Sequence, residues 1–108
     1  MRKAEIYCKG DLAGILTEIN RYLFSFRYDD VYFHDKSKPA ISLTLPKTQI
    51  EYHSEFLFPF FSNMLSEGAN RKLQCNMLKI DEQDDFGLLL ATAQYDTVGA
   101  VTVKAINA

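Results

Sequence analysis

Gly10, Gly14, Gly68, Gly87 and Gly99 stand singly along the chain. A phosphate-binding loop needs its glycines clustered next to a lysine, so that backbone N–H groups converge on the phosphates, and this sequence has no such cluster. A kinase would also need a catalytic-loop aspartate, an asparagine and a metal-binding aspartate in a recognisable order within a longer chain. That set is missing from these 108 residues, and no cofactor is expected. His34 and His53 each sit in a polar or loop segment without a closely spaced second ligand, which assigns them surface or local structural roles. The acidic run Asp81-Glu82-Gln83-Asp84-Asp85 lacks the spaced acids, central glycine and final glutamate of a calcium loop. It reads as a solvated loop that caps the next helix, and no metal site is expected. Cys8 and Cys75 lack the close spacing of a zinc knuckle or redox pair, and both read as reduced, buried side chains.

Two groups of residues could recognise a partner. Tyr22, Phe24, Phe26 and Tyr28 alternate with Arg21, Leu23, Ser25 and Arg27, as a stacking platform for bases would. Rings on one face of a strand equally suit a core, and a formal net charge of -2 offers no groove for a phosphate backbone, so core packing is the reading and direct nucleic-acid binding is not expected. The second group is the segment from Met64 to Arg71, which joins two expected helices and combines apolar, acidic and basic groups at a corner. It is either a plain helix link or a docking corner, since loops held between rigid elements often carry recognition.

The elements that position these residues follow from periodicity. Ala4, Ile6 and Cys8 alternate with Lys3, Glu5 and Tyr7, as in a half-buried strand; Lys9-Gly10-Asp11 is a turn; Leu12 to Ile19 and the run from Tyr22 to Tyr28 are two further strands in antiparallel order. Asp29-Asp30 opens a less regular stretch, Lys36 to Pro39 is a loop, and Ile41 to Leu45 is a short strand ended by Pro46. A polar segment then runs from Lys47 to His53. Leu57, Phe60, Phe61, Met64 and Leu65 form the stripe of an amphipathic helix with Ser54 as N-cap, Pro59 in or just after its first turn and Gly68 as the C′ residue. A second helix from about Asn70 places Leu73, Met77 and Ile80 inward, and a third repeats Phe86, Leu89, Leu90 and Ala93. Val98 to Ile106 is a closing strand with Val101, Val103 and Ala105 on one face.

Strands, then helices, then a strand describe an α+β fold: a mainly antiparallel sheet with about three helices packed on one face or end. With 47% hydrophobic residues, 24% charged residues and neither repeats nor low-complexity linkers, residues 1–108 read as a single domain. No apolar run approaches the ~18 residues of a membrane span, and Met1-Arg2-Lys3 does not lead into a signal-peptide core, so a soluble, cytoplasmic protein without membrane contact is expected.

Three stretches in this order, Pro39 to Pro46, Phe58 to Arg71, and Asp96-Thr97-Val98-Gly99-Ala100-Val101, resemble the N-terminal subdomain of HipA-type toxin kinases. The opening Ala4-Glu5-Ile6-Tyr7 with Gly10, Leu12, Ala13 and Gly14 is similar too, so the resemblance covers almost the whole chain. In that family the subdomain precedes a larger kinase core that pairs with a DNA-binding HipB-type antitoxin. The resemblance implies a non-enzyme like the small HipS proteins of three-gene toxin–antitoxin systems, which restrain a shortened, separately encoded HipT kinase. It implies a HipA/HipT-type kinase as partner, with a HipB-like protein reached through the complex, and Met64, Ser66, Glu67, Ala69, Asn70 and Arg71 as the contact region. A subunit that completes a split kinase without inhibiting it would demand the same interface.

Overall fold

A computed structural model of the chain describes residues 1–92 and 100–106. Strands β1 (Arg2–Cys8), β2 (Asp11–Asn20) and β3 (Leu23–Tyr28) form a meander. The β1–β2 hairpin closes on Lys9 (φ 52°) and Gly10 (φ 85°), the left-handed pair that a two-residue turn between right-twisted strands requires, and glycine takes one place at no steric cost. The chain continues through α1 (Asp30–His34), β4 (Glu51–Ser54), α2 (Pro59–Ser62), α3 (Gly68–Leu78), α4 (Asp85–Thr92) and β5 (Val101–Ala105). All neighbours are antiparallel in the five-stranded order β4-β3-β2-β1-β5, which confirms the expected α+β class.

Alternation decides which face of the sheet is buried. Ala105, Ala4, Leu16, Phe26 and Tyr52 are register partners in one row across the sheet, and Val103, Ile6, Gly14 and Tyr28 form the next. Three helices cover this face, each packing against a different ring of β3. Tyr32 of α1 stacks on Tyr28 with centroids 6.1 Å apart, Phe61 of α2 meets Phe26 at 6.0 Å, and Phe86 of α4 meets Phe24 at 6.3 Å. All six rings are buried, and burying such a side chain contributes roughly 1.5–3 kcal/mol. The aromatic strand is therefore core, as expected, except that Tyr22 lies in the β2–β3 turn, where its N–H donates to Asn20 Oδ1 at 2.8 Å and its ring is exposed.

Several local expectations are corrected. Ile41 to Leu45 is not a strand: the chain turns there, burying Ile41 and Leu45 while Leu43 stays outside. The fourth strand is the polar Glu51–Ser54, an edge strand that needs only Tyr52 to face inward. Helix α1 was not expected; Asp29 caps it, accepting from Tyr32 N–H at 3.3 Å. The apolar stripe from Leu57 to Leu65 contains only one helical turn, α2, with Pro59 in its first turn and Phe58 at the N-cap. Ser54 ends β4 instead of capping a helix. An extended lead-in buries Leu57 and Phe58, and a turn buries Leu65, so the helical spacing is satisfied without a long helix. Gly68 begins α3 instead of ending the preceding helix, and Leu73 and Met77 of α3 face outward while Cys75 is buried. Helix α4 keeps its expected core residues Phe86 and Leu89 and adds Leu88. Ala93, Val98 and Gly99 lie outside the described residues.

Tyrosine hydroxyls hold the segment between α1 and β4. Buried Tyr28 donates to the Leu45 carbonyl and accepts from Ile41 N–H at 3.2 Å; Tyr32 donates to the Pro39 carbonyl at 2.6 Å and Tyr52 to that of Pro46 at 2.7 Å. These bonds replace a ladder, which explains how an apolar run can stay irregular and still be buried. Tyr28→Phe keeps the ring but leaves two buried backbone groups unpaired, so it should cost about 1–3 kcal/mol in urea denaturation. A loss of under about 0.5 kcal/mol would show that water replaces the hydroxyl.

Candidate partner-binding corner

The segment from Met64 to Arg71 is positioned by two adjacent aspartates. Arg2, at the start of β1, reaches Glu18 on β2 with Nε and Nη2 at 2.8 and 2.9 Å, and Asp84 with Nη1 and Nη2 at 3.0 and 2.7 Å. Its guanidinium also lies 5.3 Å from the centre of the Phe86 ring. Asp84 immediately precedes α4 and accepts from Gly87 N–H at 3.0 Å, which caps the helix. Glycine at position 87 leaves room for this carboxylate, since an added Cβ would lie 2.2 Å from Asp84 Oδ2 and force that side chain to shift. The next residue, Asp85, receives the Arg71 guanidinium from α3, and Arg71 Nε also donates to the Glu82 carbonyl at 3.0 Å. The carboxylates at 84 and 85 thus tie the sheet to α4 and α4 to α3.

The candidate residues fall into two groups. Glu67, Ala69 and Asn70 are exposed around the start of α3, whereas Met64 and Ser66 are half-buried and Met64 packs against the core. Arg71 is half-buried too and bonded as above, so it braces the corner from inside instead of standing free on it, because it has a carboxylate and a carbonyl within reach. A cleft of about 700 Å³ runs beside this corner, between Gly68, Ala69 and Arg71 on one wall and Glu82, Gln83 and Asp85 on the other. A second hollow of about 840 Å³ is lined by Phe24, Leu57 and Phe86 together with Glu18, Glu55 and Asp81. Residues of the acidic run therefore line both hollows while also capping α4, as expected of it.

The pKa shifts keep each affected group in its charge state at neutral pH. Hydrogen bonds to Asp84 and Glu18 push Arg2 further up, and the Arg2 guanidinium holds the Asp84 carboxyl below the usual carboxylate range. Hydrogen bonds from Ser37 lower Asp35, the bond to Asp11 raises Lys38, and desolvation raises Tyr28 and Tyr32. Each of these shifts reinforces the charge state that the group already has at neutral pH, whereas a general acid or base needs its pKa moved towards neutrality. His34 Nδ1 rests on the Asp30 carbonyl at 2.8 Å, and His53 Nε2 lies 3.0 Å from Glu51, so both have local roles. Among the described residues no group of three His, Cys, Asp or Glu side chains could hold a metal ion, and no helix is long and apolar enough to cross a membrane. Sequence reasoning missed both arginine ties. The Asp84–Gly87 cap has a readable signal in an aspartate three residues before a glycine at a helix start, but nothing in sequence joins Arg2 to a residue 82 positions away.

Known proteins resemble this chain in sequence and in fold. The chain is 32% identical over 104 residues to an uncharacterized protein of Haemophilus influenzae, covering 96% of this chain and 92% of that protein. It is 31% identical over 100 residues to the putative kinase Y4dM of Sinorhizobium fredii and 25% identical over 89 residues to the putative kinase Y4mE of the same organism. Those matches cover 24% and 21% of the two kinases, so the chain spans less than a quarter of their length. Its structure superposes on the N-terminal domain of HipA toxin with a TM-score of 0.72 and 26% identity, covering 99% of this chain and 94% of that one. The model of the HipA N-terminal domain family matches residues 4–104, and the chain belongs to that family.

Proposed function

We propose that this chain acts as a HipS-like antitoxin: a HipA N-terminal domain that binds a separately encoded HipA/HipT-type serine/threonine kinase in the cytoplasm and inhibits it. The observation that carries the reading is one of extent. The same domain makes up under a quarter of the putative Sinorhizobium kinases, yet a match of this size covers 92% of the Haemophilus relative, so the family includes a protein consisting of little beyond this domain. A domain of this kind is not the kinase domain, and its titratable groups are arranged for charge pairing. A HipB-like DNA-binding protein would be reached through the kinase complex. The corner supports the reading physically: Glu67, Ala69 and Asn70 stand exposed on a helix start braced by Arg71 and Asp85, so docking orders few groups and loses little entropy.

Co-expression with a HipA-type kinase of the same genome should yield a complex that survives size-exclusion chromatography and should relieve the growth arrest caused by the kinase. A complex with arrest unchanged would favour a completing subunit, and no complex with any such kinase would end the proposal. Glu67→Lys should weaken the complex on the order of tenfold while shifting stability by less than about 0.5 kcal/mol, since the side chain is exposed and unpaired among the described residues. Arg71→Glu should differ by also lowering the melting temperature, because it places a carboxylate against Asp85. Isothermal titration of the chain alone with magnesium-ATP should give no saturable heat; binding at micromolar concentration would overturn the non-enzymatic reading.

A further inference from the structure

Helix α3 presents the apolar face that its spacing would bury. Leu73 is 59% exposed and Met77 74%, and they stand four residues apart on one side of the helix, while Cys75 faces the core. Exposed Asn70, one turn before Leu73, carries this side into the corner at Glu67. Charge sets the chemistry of what can cover it. From Gly68 to Ile80 the chain holds Arg71, Lys72 and Lys79 and no aspartate or glutamate. Asp85 neutralises Arg71, whereas Lys72 and Lys79 are exposed and have no ion pair among the described residues.

We propose that this outward face of α3, centred on Leu73 and Met77 with Lys72 and the C-cap Lys79 along one edge, docks on an apolar patch bordered on that side by carboxylates on the partner kinase. The inference rests on the reading of the chain as a kinase-binding protein, and it extends the contact from the corner along a helix about 16 Å long. Two observations select a kinase as the occupant. The face continues without a break into the corner, and in the Sinorhizobium relatives the remaining three quarters of a putative kinase belongs to the same chain as this domain. The lysines require carboxylates opposite them, and the paired apolar side chains require a dry patch beside those carboxylates.

Two double variants of the full-length chain test this against HipA-type kinases of the same genome by biolayer interferometry at low and high salt. Leu73→Gln/Met77→Gln keeps good helix formers and should weaken binding at least on the order of tenfold at either salt concentration. Lys72→Glu/Lys79→Glu should weaken it severalfold at low salt and flatten its salt dependence. Unchanged melting curves would show that both variants fold; should the first fail to fold, the lysine pair alone decides. Wild-type affinity in the lysine pair, or in both, overturns the proposal while leaving the kinase reading intact. Absence of any complex with the wild-type chain overturns both. If the apolar pair instead abolishes self-association of the wild-type chain, or its binding to phosphatidylserine vesicles, and leaves the kinase complex untouched, the face belongs to another occupant and the proposal falls.

Discussion

Two consecutive carboxylates, Asp84 and Asp85, hold this molecule in register by facing opposite ways. Asp84 turns towards the sheet and receives Arg2; Asp85 turns towards α3 and receives Arg71. Both pairs are partly exposed, and exposed ion pairs contribute only about 0–1 kcal/mol each, so their importance is geometric. A guanidinium bonded through two nitrogens has little freedom to rotate, and here one carboxylate also caps a helix. The corner at Glu67 and Asn70 is placed relative to the sheet through this relay.

The stability comes from elsewhere, chiefly from β3. Its three inward rings are each met by aromatic packing from a different helix, so a single strand locates α1, α2 and α4. Short helices suffice because each needs to anchor only one aromatic: α2 is four residues long and still buries Phe61 completely. Tyr28 and Tyr32 then use their polar ends. A ring that packs in the core while its hydroxyl fixes a passing backbone lets the segment from 35 to 50 be ordered without secondary structure, which a purely apolar side chain could not do. The same economy leaves α3 loosely attached. With Cys75 as its buried residue and Arg71 as its brace, much of its remaining surface, Leu73 and Met77 included, is exposed.

Much of this was legible in sequence. Period-two alternation identified β1, β3 and β5 and their buried faces, because a strand with one wet face must alternate whatever covers it, and β2 was legible as an extended run without an assigned face. The Lys9-Gly10 turn, the acidic cap before α4, the family resemblance and the α+β class were legible for the same reason: each depends on residues close together in the chain or on a local pattern.

Tertiary structure decided what local pattern leaves open. The spacing of Leu57, Phe60, Phe61, Met64 and Leu65 suits a helix, but an extended lead-in, one turn and a bend bury the same side chains, and only the position of the Phe26 ring selects between them. Ile41 to Leu45 has the apolar content of a strand, yet the Tyr28 hydroxyl takes its backbone groups and the polar Glu51–Ser54 takes the place beside β3, where an edge needs hydrogen bonds more than apolar side chains. The face of α3 was read inverted because periodicity shows that a helix has an apolar side but not which surface it meets, and here Cys75 faces the core while Arg71 pairs with Asp85. Local residues therefore determined the meander and the closing strand, whereas contacts between residues far apart in sequence decided which candidate strand entered the sheet, how short α2 is and which face of α3 is exposed.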